Sequence, residues 1–208
     1  EQLPSSTVVL LTSRFERDIG ILMRLQPLSP ADAIKLGKEV SSDRNVPLSN
    51  NQLEDLSRVT GRLPFGMVLA ISLIRTGYNA DDIISSMGKL FEDSLLKFLF
   101  DKAWEKIQGQ LAEDIVEVLT FFPAGTTKDA LSTIIGDPDK DSSFEGAIVV
   151  LENLSIIDQT NNRLSILPFT RAYFTTRLAE QPEKENTLKA KWVEYVANYV
   201  HQSIQESI

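Results

Sequence analysis

The run Pro64-Phe65-Gly66-Met67-Val68-Leu69-Ala70-Ile71-Ser72-Leu73-Ile74 is apolar nearly all round when wound as a helix. Such a helix has no face to offer solvent, so other elements must cover it on every side. Pro64 suits the first helical position, where its fixed φ helps and its missing N–H costs nothing. The preceding Thr60-Gly61-Arg62-Leu63 reads as a glycine-bearing turn. A backbone turn held against the start of a buried helix can seat a flat ligand such as a nucleobase. The plainer reading of these residues is only a tight start to a core helix, and the ligand reading stays open beside it.

The flanking sequence supplies helices for the cover. Ser29-Pro30-Ala31-Asp32 looks like a helix start, with the helix running to about Val40, and Ser41–Pro47 reads as a loop. Ser49 with Gln52 forms a capping box for a helix to Thr60. After the central helix, which ends near Gly77, Asn79 with Asp82 opens a short helix through Met87. Four helices with short connections make a small bundle. A longer helix at about Phe91–Ile107 carries Leu95, Leu96, Leu99, Ala103 and Ile107 at helical spacing.

The next part changes character. Leu111–Phe122 reads as a helix stopped by Pro123-Ala124-Gly125. Thr126 or Thr127 caps a helix to Ile135, and Ser143 opens one to about Leu154. Ser155–Asp158 and Arg163–Leu167 flank Gln159-Thr160-Asn161-Asn162, which predicts a hairpin. Pro168 starts a helix to Ala179. Helix, helix, helix, hairpin, helix is the order of a winged-helix unit. The last helix, at about Glu183–Ser207, carries Leu188, Trp192, Tyr195, Val196, Tyr199 and Ser203 on one stripe. That stripe is core-like, or a docking face for a following module.

One stretch does not fit an all-helical plan. Thr7-Val8-Val9-Leu10-Leu11-Thr12 is a short apolar, β-branched run, which is the pattern of a strand buried on both faces of a parallel sheet. No comparable strand follows before the hairpin. The expectation is that the chain begins in the last part of an α/β domain, and that the bare strand edges can recruit a second copy. Arg14 follows this strand directly. Ligands of open α/β sheets sit beyond the carboxyl ends of the strands, where an arginine fork can reach a phosphate. A surface arginine in an ordinary loop is the other reading.

Composition narrows the function. There is no cysteine, hence no disulfide and no thiolate chemistry, and no run approaches the ~20 apolar residues of a membrane span. Together with an N-terminus unlike a signal peptide, this predicts a cytoplasmic protein. Net charge is −8, which argues against a general nucleic-acid binder. The helix that a winged helix would place in a major groove, Ser143–Leu154, has Glu145 and Glu152 and no lysine or arginine, so groove reading is not expected. No catalytic constellation, metal-ligand spacing or G-x-x-x-x-G-K-[ST] phosphate loop is present. The one histidine, His201, reads as a surface residue. The acidic pairs Asp81-Asp82, Glu92-Asp93 and Glu113-Asp114 read as helix starts and solvated faces.

The order of Thr7–Phe15, Leu25-Gln26-Pro27-Leu28-Ser29-Pro30-Ala31-Asp32-Ala33-Ile34-Lys35-Leu36, Gly61-Arg62-Leu63-Pro64-Phe65 and the winged helix resembles the second half of an NB-ARC/AP-ATPase module of the STAND-class signalling ATPases. The resemblance covers about residues 5–180. It implies a mainly α fold: residues 1–28 as the end of an α/β nucleotide-binding domain, 29–108 a helical domain, 109–180 a winged-helix domain, and 181–208 a C-terminal helix or linker. Arg14 would sense the γ-phosphate, and Leu63-Pro64 would match the family's Gly-Leu-Pro-Leu motif, whose proline packs on adenine. ATP or ADP would be the ligand of the whole protein. The partners would be an N-terminal half carrying the phosphate loop and downstream sensor repeats. Three positions depart from the family: Arg62 stands for a glycine, Gly66 for an alanine, and Leu167 for the histidine that touches the β-phosphate. By this reading the chain is regulatory, and on its own it neither hydrolyses ATP nor binds nucleotide tightly. A stand-alone helical and winged-helix interaction module is the alternative, with a winged-helix DNA binder third.

Overall fold

A computed structural model describes residues 21, 23, 25–90, 92–136 and 142–205. The strand expected at Thr7–Thr12, and Arg14 after it, lie outside the described residues. Among the described residues the fold is mainly helical. It has ten helices and one two-stranded sheet: α1 Pro30–Asp43, α2 Asn50–Val59, α3 Pro64–Arg75, α4 Ala80–Met87, α5 Glu92–Ile107, α6 Leu111–Leu119, α7 Lys128–Ile135, α8 Ser142–Asn153, β1 Asp158–Thr160, β2 Arg163–Ser165, α9 Pro168–Ala179 and α10 Pro182–Gln205. No helix among the described residues is long and apolar enough to cross a membrane.

The starts of the first helices follow the local code. The Ser29 hydroxyl accepts the Asp32 N–H, and Pro30 takes the first helical position. Ser49 and Gln52 close both arms of a capping box. The Asn79 side chain accepts from the N–H groups of Asp81 and Asp82. Of the two threonines considered for α7, Thr127 is the cap, accepting from Ala130 N–H.

Helix ends differ more from the sequence reading. The loop expected from Ser41 begins only after Asp43, because α1 closes in a Schellman turn. Val46 N–H donates to Ser41 O at 2.8 Å and Asn45 N–H to Ser42 O at 3.1 Å, with Asn45 at φ 54°. Asn45 does there what a glycine usually does, and Val46 is buried behind it. The helix expected to reach Phe122 stops at Leu119. The four-residue hairpin turn is really two residues, Asn161-Asn162, both in the left-handed region at φ 51° and 61°. Such a turn matches strand twist, and it frees Gln159 and Thr160 to pair with Leu164 and Arg163.

α3 is the buried centre that its composition predicts. Met67, Leu69, Ala70, Ile71 and Leu73 are all fully buried. Each of the larger side chains gains roughly 1.5–3 kcal/mol on leaving water. α1, α2, α4 and α5 pack around it. Residues 109–180 show the element order read for a winged helix, and Thr126 pairs antiparallel with Leu164 as a one-residue third strand. The buried cluster runs unbroken from Val46 in the bundle to Leu188 in α10. The two parts meet through rings: Phe100 stacks on Tyr173 at 4.9 Å, and Trp104 lies 6.0 Å from Phe174.

Candidate functional site

The turn before α3 is built by the end of α2. Arg62 N–H donates to Ser57 O at 2.9 Å and Gly61 N–H to Arg58 O at 3.1 Å, the two bonds of a Schellman motif. Gly61 sits at φ 59°, the left-handed conformation this motif demands, and Arg62 follows at φ 59°. Arg62 O in turn accepts Leu28 N–H at 3.1 Å, which ties the incoming chain to the turn. So Arg62, in the family's glycine position, adopts a backbone that a glycine would adopt freely. Leu63 is the N-cap of α3, in extended conformation and with no side-chain cap, and it is 40% exposed.

The start of α9 repeats this arrangement. Leu167 is an extended N-cap without a side-chain cap, Pro168 is the first helical residue, and Leu167 is 46% exposed. Leu-Pro-Phe thus occurs at both 63–65 and 167–169. The two copies are neighbours in space: Phe65 and Phe169 meet edge to face at 4.5 Å. Two helix N-termini, each with unsatisfied N–H groups and the positive end of a helix dipole, are thereby held together.

Between them and the hairpin lies a cleft of about 510 Å³, lined by residues that include Arg44, Phe65, Val68, Ser155 and Leu167, with Glu152 and Asp158 also on its wall. Arg44, the C-cap of α1, donates to Ser72 Oγ and, at a long 3.5 Å, to Val68 O. Burial lowers its pKa, and Arg75 adds to the effect. Ser72 Oγ also lies 3.0 Å from Ser155 Oγ. Ser155 has φ 57°, in the turn that ends α8. This polar contact holds the α8–β1 turn against the middle of α3.

Leu63 and Pro64 stand at the exposed N-terminal end of α3, next to Phe65 but not among the residues that line the cleft, whereas Leu167 does line it. Arg14 lies outside the described residues. Three features escaped the sequence reading. Arg44 stands in a stretch whose pattern predicts a loop, and Ser155 stands at the predicted start of a strand. The third was the repeated Leu-Pro-Phe, which was visible in the sequence as a repeated triplet. No group of acids and histidines among the described residues is placed to hold a metal ion. His201 is exposed, its Nε2 3.1 Å from Gln205 Nε2. No family model, curated protein or solved structure matches this chain.

Proposed function

We infer that this chain is a regulatory part of an NB-ARC/STAND-type signalling ATPase. It would form the sensor and lid side of an ADP/ATP pocket and relay nucleotide state. The observation that carries the reading is the meeting of the two Leu-Pro-Phe helix starts. In that family the proline of the first helix packs on adenine, and the start of the last winged-helix helix faces the β-phosphate. Pro64 and Leu167 are the residues that the resemblance matches to those positions, and the Phe65–Phe169 contact, which joins the two helix starts, supports the reading. Leu167 offers no hydrogen bond, so phosphate contact from this side would fall to the uncapped N–H groups of the two helices and to Arg14. A γ-phosphate can move such an arm only through groups that prefer one state, and Arg14 is the candidate for that preference.

The test is an amide NMR titration of the chain with ADP and with adenosine. Shifts clustered at residues 61–66 and 167–170 are expected, with weak affinity. Shifts scattered over the surface, or none at millimolar ADP, would remove the reading. In a longer polypeptide that also carries a phosphate loop, Arg14→Ala should impair ATP-dependent switching more than ADP binding.

A second reading is favoured by α10. Beyond Trp192 this helix exposes Val193, Val200 and Ile204, each about half open to solvent. That stripe suits a helical interaction module with no nucleotide role.

A further inference from the structure

The α6–α10 junction contains four charged groups whose signs do not balance. Lys184 Nζ, on the first turn of α10, lies 2.7 Å from Glu113 Oε1, 2.9 Å from Asp114 Oδ1 and 2.7 Å from Glu117 Oε2. Three carboxylates share one ammonium. Glu117 is fully buried and Glu113 nearly so. Glu113 also accepts Gly109 N–H at 2.5 Å, so part of its charge is met by the backbone. Glu117 has no such help. Its Oε2 touches Lys184 off the hydrogen-bonding direction and its Oε1 has no partner. A buried carboxylate in that position is costly while it is charged.

Among the described residues no other charge on the packed helices pairs with it, and Lys191 of α10 donates to Ile135 O. α7, α8 and α9 bring Leu131, Ile134, Ile148, Leu151, Phe174 and Leu178 to the shared core, all buried and apolar. Their cations are engaged elsewhere: Lys128 with Glu145, Arg177 with Asp101 and the Trp104 ring, and Arg171 with the carbonyls of Phe122 and Pro123. On α5, Lys97 pairs with Asp101, Lys102 with Glu105, and Lys106 with Thr76 O. On α10, Glu185 is paired with Lys189.

We propose that Glu113, Asp114, Glu117 and Lys184 form a proton-operated clasp that docks the first half of α10 on α6, tight when Glu117 carries a proton and loosened when it does not. Protonation leaves two carboxylates facing one ammonium and removes the charge of the most deeply buried of the three. Above the clasp, Leu188 is buried and Trp192 lies against Phe121 and Phe122 at 5.9 and 6.2 Å, so docking of this half of α10 covers apolar surface.

The physical chemistry of Glu117 agrees with the geometry. Burial pushes its pKa up to about 7 against the pull of Lys184, with Glu113 and Asp114 adding repulsion. Lys184 is lowered by burial but held above the ordinary lysine value by the three carboxylates around it, Glu113, Glu117 and Asp114, so it stays charged throughout the relevant range. Undocking exposes Glu117 and returns it toward the usual glutamate value of about 4.3. Between those two values the docked state holds the extra proton, so docking weakens as pH rises through that window and levels off above it.

Two measurements on the whole chain decide it: a ¹³C-carboxyl NMR titration of Glu117, and amide hydrogen exchange along α10 with intrinsic rates corrected for pH. The expected result is a Glu117 midpoint near 7. Protection of α10 amides near Leu188 should fall up to about tenfold per pH unit between about pH 5 and 7. Glu117→Gln should abolish that slope and keep α10 protected at least as well as the unaltered chain at about pH 7.5. His201→Gln is the control: it removes the one histidine of the chain, so an unchanged slope assigns the proton to the clasp. A Glu117 midpoint in the ordinary carboxylate range overturns the proposal, as does a slope that survives Glu117→Gln or vanishes with His201→Gln. If Glu117→Gln fails to fold, the carboxyl titration of the unaltered chain still decides.

Discussion

α3 and α9 begin with the same three residues, Leu-Pro-Phe, and end in different surroundings. Both have an extended leucine N-cap, a proline at the first helical position and no side-chain cap. α3 is then buried on all sides, with Gly66, Met67, Leu69, Ala70, Ile71, Ser72 and Leu73 out of solvent. α9 buries only Thr170, Phe174 and Leu178. Their preceding turns differ as well. α3 is fed by the Schellman turn of α2. α9 is fed by β2, whose Leu164 exchanges hydrogen bonds with Thr126 at 2.7 and 2.9 Å. One local motif thus starts both a core helix and a surface helix; the residues that follow it and the neighbours that close over it make the difference.

The contrast can be broken at its strongest point by Ile71→Ala. A fully buried side chain in α3 has no direction in which to relax, so a loss of about 2–5 kcal/mol is expected in chemical denaturation. Tyr195→Ala, on the half-buried stripe of α10, should cost visibly less, and equal losses would mean the core is not centred on α3.

Gly125→Ala attacks the support of α9. Gly125 has φ +72°, and a Cβ there would lie 2.5 Å from Leu164 O and 2.9 Å from Ser165 Cβ. The Thr126–Leu164 pairing would have to open, at a cost of more than about 1 kcal/mol. Loss of the cross-strand amide protection of Leu164 is the specific readout.

The ring contact that joins the two motifs should appear in a double-mutant cycle of Phe65→Leu and Phe169→Leu. The expected coupling is about 0.5–1.5 kcal/mol. A coupling near zero would mean that the two helix starts are neighbours without being linked.

The smallest effect has the opposite sign. An added Cβ at Gly66 would meet Thr60 Cβ at 3.5 Å and Leu63 Cβ at 3.7 Å, ordinary contacts. Gly66→Ala should therefore stabilise α3 by roughly 0.5–1 kcal/mol. It also restores the residue usual at this position in the resembled family, so unchanged nucleotide-induced shifts would separate stability from any role at the site.

Much of the helical plan was legible because its signals are local. Ser29, Ser49 and Asn79 cap the helices that their local patterns predict, each within four residues of its partners. The ends were harder. Asn45 and Ser155 take the left-handed positions that close α1 and α8, and neither residue type announces that role as a glycine does. Of the candidate site, Leu63 and Pro64 were legible from the turn and the helix start. Arg44 and Ser155 were not. They join α3 from residues 28 before and 83 after Ser72, a separation that no periodicity reports.

The sequence alone determined where helices start, that α3 must be covered on every side, and that the chemistry of cysteine is absent. Those are properties of neighbouring residues or of composition. Only the tertiary structure decided that the two Leu-Pro-Phe starts meet. It also decided that Glu113, Asp114 and Glu117 of α6 share a single lysine some 70 residues on. As a sequence, Glu113-Asp114 looks like a solvated helix start. Packing around α6 buries Glu113 and Glu117, and burial makes their charge costly.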